Sequence, residues 1–244
     1  MVTFDRRGTA IVNGLQDFQL GQVITAIGGL GTAAFGLVDA AKSTFSGINR
    51  VGLQHIHEVV SDLTPEGAGS GSPVNALPQA SILQTLEANW VNGVDLASQK
   101  AIAKSLIKLH LSPANATAVA VKASADPAVL GSVAANLATG TPLSQAEGDA
   151  YSRFDLIVTA LLDEAYQLSD QVYRNWTRAA AALVAIVLAL AGGWSLEGAN
   201  FWSVKEIALA LLVGLLATPL APIAKDLSSA LATAVNAMQA VKGK

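Results

Sequence analysis

The side chains able to do chemistry in this chain are few and poorly spaced for it. Three histidines are present. His55 and His57 flank Ile56 in LQHIHEVV, with Glu58 next and Asp62 further on. Residues two apart on a helix point in widely different directions, so this pair cannot close on one metal as an i, i+4 pair does. His110 is remote from both. The histidines are therefore expected to be solvated or interfacial, with no metal or other cofactor. Asp163, Glu164 and Asp170 are the acid/base candidates, yet no nucleophile or phosphate-binding glycine loop accompanies them. Neither G-x-x-x-x-G-K-[ST] nor G-x-S-x-G occurs, and zero cysteines exclude disulfides, thiolate metal sites and cysteine nucleophiles. The expectation is a non-enzymatic protein with no catalytic residues.

Two other patterns point to association. Thr25, Gly29 and Ala33 form a small-residue ladder at four-residue spacing, and Gly28, Thr32 and Gly36 form another on an adjacent face. Small residues let helix backbones approach closely, which gains dispersion and weak CH···O contacts where lipid removes any hydrophobic drive between helices. The ladders could serve self-association, packing against the chain's own helices, or pore lining. Lys100, Lys104 and Lys108 repeat at four residues in SQKAIAKSLIKLHL beside Ile102, Leu106 and Leu109. Such a row is either a lipid-facing basic stripe or the solvated face of an ordinary amphipathic helix.

The elements that carry these residues follow from composition. Of 244 residues 52% are apolar and 14% charged, and the mean hydropathy is +0.44, well above a soluble domain. A net charge of −3 offers no positive field to draw nucleic acid. A bilayer core needs roughly 17 to 25 apolar residues in a helix, and three windows lack charge: 18–38, 179–196 and 207–224. The last two read as a transmembrane hairpin. Tyr173, Arg174, Trp176 and Arg178 precede it, and Trp194 and Trp202 lie about its turn, as interface anchors would. Gly192 and Gly193 are expected to end the first arm, and Pro219 and Pro222 to end or kink the second. No charge falls inside a window, which weakens proton-coupled transport. Arg153, Arg174 and Arg178 before the hairpin, and Lys225, Lys242 and Lys244 after it, place residues 39–178 and 225–244 in the cytoplasm. If window 18–38 crosses fully, parity then puts the N-terminal segment 1–17 outside; otherwise the window is re-entrant or interfacial. The N-terminal segment does not read as a cleavable signal peptide.

Residues 39–178 read as a cytoplasmic helical domain with a flexible Gly/Ser/Pro-rich loop at 64–78. The first window is expected to continue as helix to about Leu63. Ser112-Pro113 and Asp126-Pro127 each place a cap before a first-turn proline, and Gly140 closes the second segment. Ser144 and Glu147 have capping-box spacing and open the longest element, one helix to Gly192. Phe154, Ile157, Val158, Leu161, Leu162, Ala165 and Leu168 mark its apolar stripe. Residues 225–244 read as a C-terminal helix. The fold class is all-α: an integral membrane protein of about three transmembrane helices and a cytoplasmic domain built on long continuous helices.

The segment LLDEAYQLSDQVYRNWTRAAAALVAIVLALAGG resembles an uncharacterised group of bacterial integral membrane proteins, in which a phenylalanine-aspartate pair precedes a tyrosine and a basic residue that lead into a transmembrane hairpin. Asp163, Ser169, Tyr173 and Arg174 occupy those places here, with Leu162 for the phenylalanine and Gln167 for a usual basic residue. The resemblance implies an N-terminal span, a cytoplasmic region and a C-terminal hairpin, and no activity. AIGGLGTAAFGLVDAAKSTFSG is similar in composition to the pore helix of small-conductance mechanosensitive channels, although no strand-rich vestibule follows it. The expected role is an oligomeric scaffold or accessory subunit of the bacterial inner membrane, in contact with lipid and either with copies of itself or as part of a larger complex. A homo-oligomeric channel lined by the glycine-rich first helix is the alternative.

Overall fold

The computed structural model describes residues 14–44, 50–66 and 77–242. Among them are eight α-helices, one 3₁₀ turn and no strand. The helices are α1 (Gly14–Thr44), α2 (Leu53–Leu63), α3 (Gln79–Val91), α4 (Leu96–His110), α5 (Ala116–Lys122), α6 (Pro127–Thr139), α7 (Gln145–Glu197) and α8 (Val204–Lys242). The chain divides into two compact units, Phe45–Trp176 and Met1–Thr44 with Thr177–Lys244, so α7 contributes to both.

In the first unit α2 to α6 wrap the early part of α7. Each lends residues at three- and four-residue steps: Leu53, Ile56, Val60 and Leu63 from α2, Ile82, Leu86 and Trp90 from α3, Ala103 and Ile107 from α4. They close on Phe154, Val158, Leu162 and Tyr166 of α7. The expected stripe is present except at its end, where Leu168 is exposed. Several starts and stops match the local chemistry. Asp126 accepts from the amides of Ala128 (2.8 Å) and Val129 (3.2 Å) ahead of Pro127, and Gly140 closes α6 at φ 72°. Ser144 and Glu147 form the capping box, the Glu147 carboxylate accepting from the Ser144 amide at 2.8 Å.

Four expectations are corrected. The helix after Ser112-Pro113 begins at Ala116 with Asn115 as its cap, because the Asn115 side chain accepts from the Ser112 amide and donates to the His110 carbonyl. The first helix does not reach Leu63: α1 ends at Thr44, and α2 starts behind Gly52 at φ 97°. A side chain there would be strained, and its Cβ would lie 2.5 Å from the Ser169 carbonyl oxygen. Gly192 and Gly193 do not end the long helix, which runs to Glu197 and stops at Gly198, φ 57°; Gly193 instead makes room for the Phe201 ring. Pro219 and Pro222 do not end α8, which continues past both. Most of loop 64–78, and residues Phe45 and Ile48, lie outside the described residues.

The second unit packs α1, the last part of α7 and α8. Three helices are long and apolar enough to cross a membrane: Gln22–Lys42, the apolar part of α7, and Val204–Asp226. The α7–α8 pair is antiparallel, with Gly214 against the Ile186 backbone and Phe201 on Gly193. Along α1 and α8 the numbers run in opposite senses: Gly28 meets Leu220 and Ala224, Gly31 meets Ala217 and Ala221, and Ala34 clusters with Ala217 and Ala185. Helix α1 is therefore antiparallel to α8 and runs in the same direction as the apolar part of α7.

A Cβ on Gly31 would collide with the Ala217 carbonyl, whereas Gly29 has open space around it. Gly31→Ala is expected to destabilise this bundle by about 1–3 kcal/mol, since backbone rather than a side chain must move. Gly29→Ala should be neutral or slightly stabilising. Thermal unfolding in detergent, followed by circular dichroism, checks the pair.

Candidate functional site

The small residues of α1 separate into a covered and an open set. Gly28, Gly31, Ala34 and Val38 are buried along one side of the helix. Their partners on α8 are themselves small, Ala217, Ala221 and Ala224 at four- and three-residue steps, and all three are buried; Ala210 and Gly214 continue the same buried spacing, Gly214 against Ile186 of α7. That is an antiparallel seam at heptad spacing, in which Cα hydrogens can approach facing carbonyls. Of the six expected residues only Gly28 joins it. Gly31 and Ala34, which the four-residue ladders missed, complete it, and the alternating small residues of α8 were the legible signal. On the open side Gly29 and Gly36 have nothing within 4 Å of a built Cβ, and Ala33 and Thr32 are exposed. The Thr32 hydroxyl donates back to the Gly28 carbonyl at 3.0 Å, and Thr25 is half-buried.

The lysine row of α4 makes ion pairs with α7. Lys100 pairs with Asp163 at 2.5 Å and Lys104 with Asp155 at 3.3 Å, while Lys108 pairs with Asp155 and stands 5.2 Å from the centroid of the Tyr151 ring. As the lysine numbers rise the aspartate numbers fall, so the ladder also fixes α4 antiparallel to α7. The Lys108 ammonium, hydrogen-bonded to Asp155, holds that carboxyl below its usual range, with Lys104 adding to the effect against the cost of burial. The same bond raises the Lys108 ammonium. Two of the three acid/base candidates are thus ion-pair members, Asp163 with Lys100 and Asp170 with Arg174 at 2.7 Å, and Glu164 is exposed.

Among the expected interface anchors, Trp176, Trp194 and Trp202 carry exposed rings, and Arg174 and Arg178 are exposed. Tyr173 differs. Its ring meets Trp90 edge-on with centroids 6.0 Å apart, and Trp90 also touches Tyr166, so Tyr173 belongs to the aromatic edge of the helical unit's core. Burial pushes the Tyr166 phenol well above its usual range.

The histidines separate as well. His55 lies 3.9 Å from Glu58, and among the described residues no group of three His, Asp or Glu could hold a metal. An open groove of about 850 Å³ along α2 is lined by Arg50, Gln54, His57, Glu58, Asp62 and Glu87. Arg50 pairs with Glu87 and Asp62 with Lys122, each at 2.8 Å, so much of its charge is matched within the protein. His110 is not solvated: it is 6% exposed and its ring is hydrogen-bonded.

Comparison with protein-family models, curated proteins and solved structures finds no match. The functional reading therefore rests on this geometry alone.

Asp155→Asn should weaken the helical unit by about 1 kcal/mol, because two partly covered ammonium groups lose their counter-charge. The carboxyl is depressed in the folded chain. Its contribution is therefore present above the unfolded carboxylate range and fades as pH falls toward the lower folded value. Urea unfolding at pH 7 and near pH 3 should show the variant's deficit at the first pH and a much smaller one at the second.

Proposed function

We propose that this chain is a non-enzymatic, oligomeric scaffold or accessory subunit of a bacterial inner membrane, anchored by the α7–α8 hairpin and presenting the α2–α6 unit to partners in the cytoplasm. The observation that carries the reading is the hairpin surface. Leu183, Val187, Leu209, Leu212, Leu215 and Ile223 are each more than half exposed, on helices of bilayer-crossing length. Water would penalise such a surface heavily, whereas lipid covers it without cost. Arg174, Arg178 and Lys225 flank the open end and only Lys205 lies near the turn, which supports a cytoplasmic open end.

Helix α1 is a packing partner of this anchor and does not cross in full. Its direction supports this: a full crossing would deliver Thr44 to the side of the α7–α8 turn, opposite Thr177, and residues 45–176 would begin and end on different sides. The re-entrant or interfacial alternative is the one this arrangement favours.

Self-association uses the open side of α1, with Gly29, Ala33 and Gly36 at its centre and Thr25 and Thr32 beside them. Because Gly29 makes no contact within its own bundle, a large residue there separates assembly from folding. Native mass spectrometry of the gently solubilised protein should give a single closed oligomer. Gly29→Leu should shift it to monomer with an unchanged circular dichroism spectrum and melting temperature. A wild-type monomer, or an oligomer indifferent to Gly29→Leu, would overturn the assembly.

A further inference from the structure

His110 lies in the last turn of α4, 6% exposed, with both ring nitrogens against backbone carbonyls: Nδ1 is 2.8 Å from the Leu77 oxygen and Nε2 is 3.2 Å from the Pro65 oxygen. Carbonyl oxygens only accept. A neutral imidazole carries one N–H and can serve one of them, leaving a lone pair facing the other; the doubly protonated ring serves both. The two carbonyls belong to different elements. Pro65 follows the end of α2 and Leu77 precedes α3. The ring thus joins α2, α3 and α4 at one point.

Two carbonyl acceptors and two helix C-termini face the ring, since His110 sits in the last turn of its own helix and the Pro65 carbonyl lies just past the last turn of α2. Titratable groups on these elements are committed elsewhere or turned away: Asp62 to Lys122, Glu87 to Arg50, Lys108 to Asp155, and His55 beside Glu58, with Glu66 exposed and His57 lining the α2 groove. Among the described residues no carboxylate ion-pairs with the His110 ring. A second clasp at the same junction does not titrate. The Gln79 side-chain amide donates to the carbonyls of Thr64 (2.9 Å) and Ser61 (3.2 Å).

We propose that His110 is a pH-sensitive clasp: doubly protonated, it ties the end of α2 and the approach to α3 to the end of α4, and neutral, it releases one of the two. The closed clasp holds one more proton than the open one, so it strengthens as pH falls and loosens as pH rises. The exposed response is the junction of three helices in the unit that faces partners.

The test uses the full chain in detergent with His55→Gln and His57→Gln, which leaves His110 as the sole histidine. Ring ¹⁵N spectra from pH 5.5 to 8 should show two protonated nitrogens at the acid end and one at the alkaline end. Over the same range, amide-exchange protection at residues 60–66 and 79–82, corrected for intrinsic exchange, should drop about tenfold. Adding His110→Gln should hold protection at the low level throughout, whereas adding Gln79→Ala should lower it while keeping the pH step. A ring with one proton at every pH, a ring with two at every pH, or protection that does not follow the ring's titration would each overturn the proposal.

Discussion

The close approach of α1 to α8 is the constraint from which the apolar unit follows. Gly28 and Gly31 face the Leu220 and Ala217 carbonyls with no room for a side chain, and Ala217, Ala221 and Ala224 return the same absence of bulk from the other helix. Two backbones can lie this near only if both sequences are small at matching steps, and that matching fixes direction and register together. Everything bulky is pushed outward, which is why leucines and valines cover the hairpin and Gly29 and Gly36 are left in the open.

The helical unit is held by a different chemistry. A core of leucine, isoleucine and aromatic side chains surrounds the early part of α7, and the α4 lysines meet Asp155 and Asp163 along its flank. Burial sets the stability here, while the charge ladder mainly specifies which way α4 lies. Helix α7 contributes to both units, its first part charged and amphipathic and residues 179–196 free of charge.

Much of this was legible in the residues. The all-α class, the long helix, the Asp126 cap, the Ser144–Glu147 box and the three apolar segments depend on local pattern, and they are present. What local pattern could not supply was partnership. The lysine row reads identically whether it faces lipid, water or Asp155, and nothing within α4 tells which. Tyr173 looks like an interface ring until Trp90, distant in sequence, is placed against it. His110 showed no nearby partner in sequence because its acceptors are backbone carbonyls, which have no residue signature. The glycine ladders were visible, but choosing among their faces required the spacing in α8, where Ala217, Ala221 and Ala224 mark the seam. Gly52, at positive φ, opens α2 where apolar periodicity alone carried the first helix on to Leu63, and the long helix runs past Gly192 and Gly193 to stop at Gly198.

The apolar hairpin, the helix packed along it and the separately cored helical unit are the elements on which the proposed scaffold rests. The central claim is the path of α1. Because the chain has no cysteine, Ser43→Cys and Ser203→Cys each place a single thiol in the protein, and a membrane-impermeant maleimide can be applied to sealed vesicles of either orientation. The account predicts that Ser203→Cys reacts from the side of the α7–α8 turn and that Ser43→Cys does not. Labelling of Ser43→Cys from that same side would make α1 a full crossing and contradict the account.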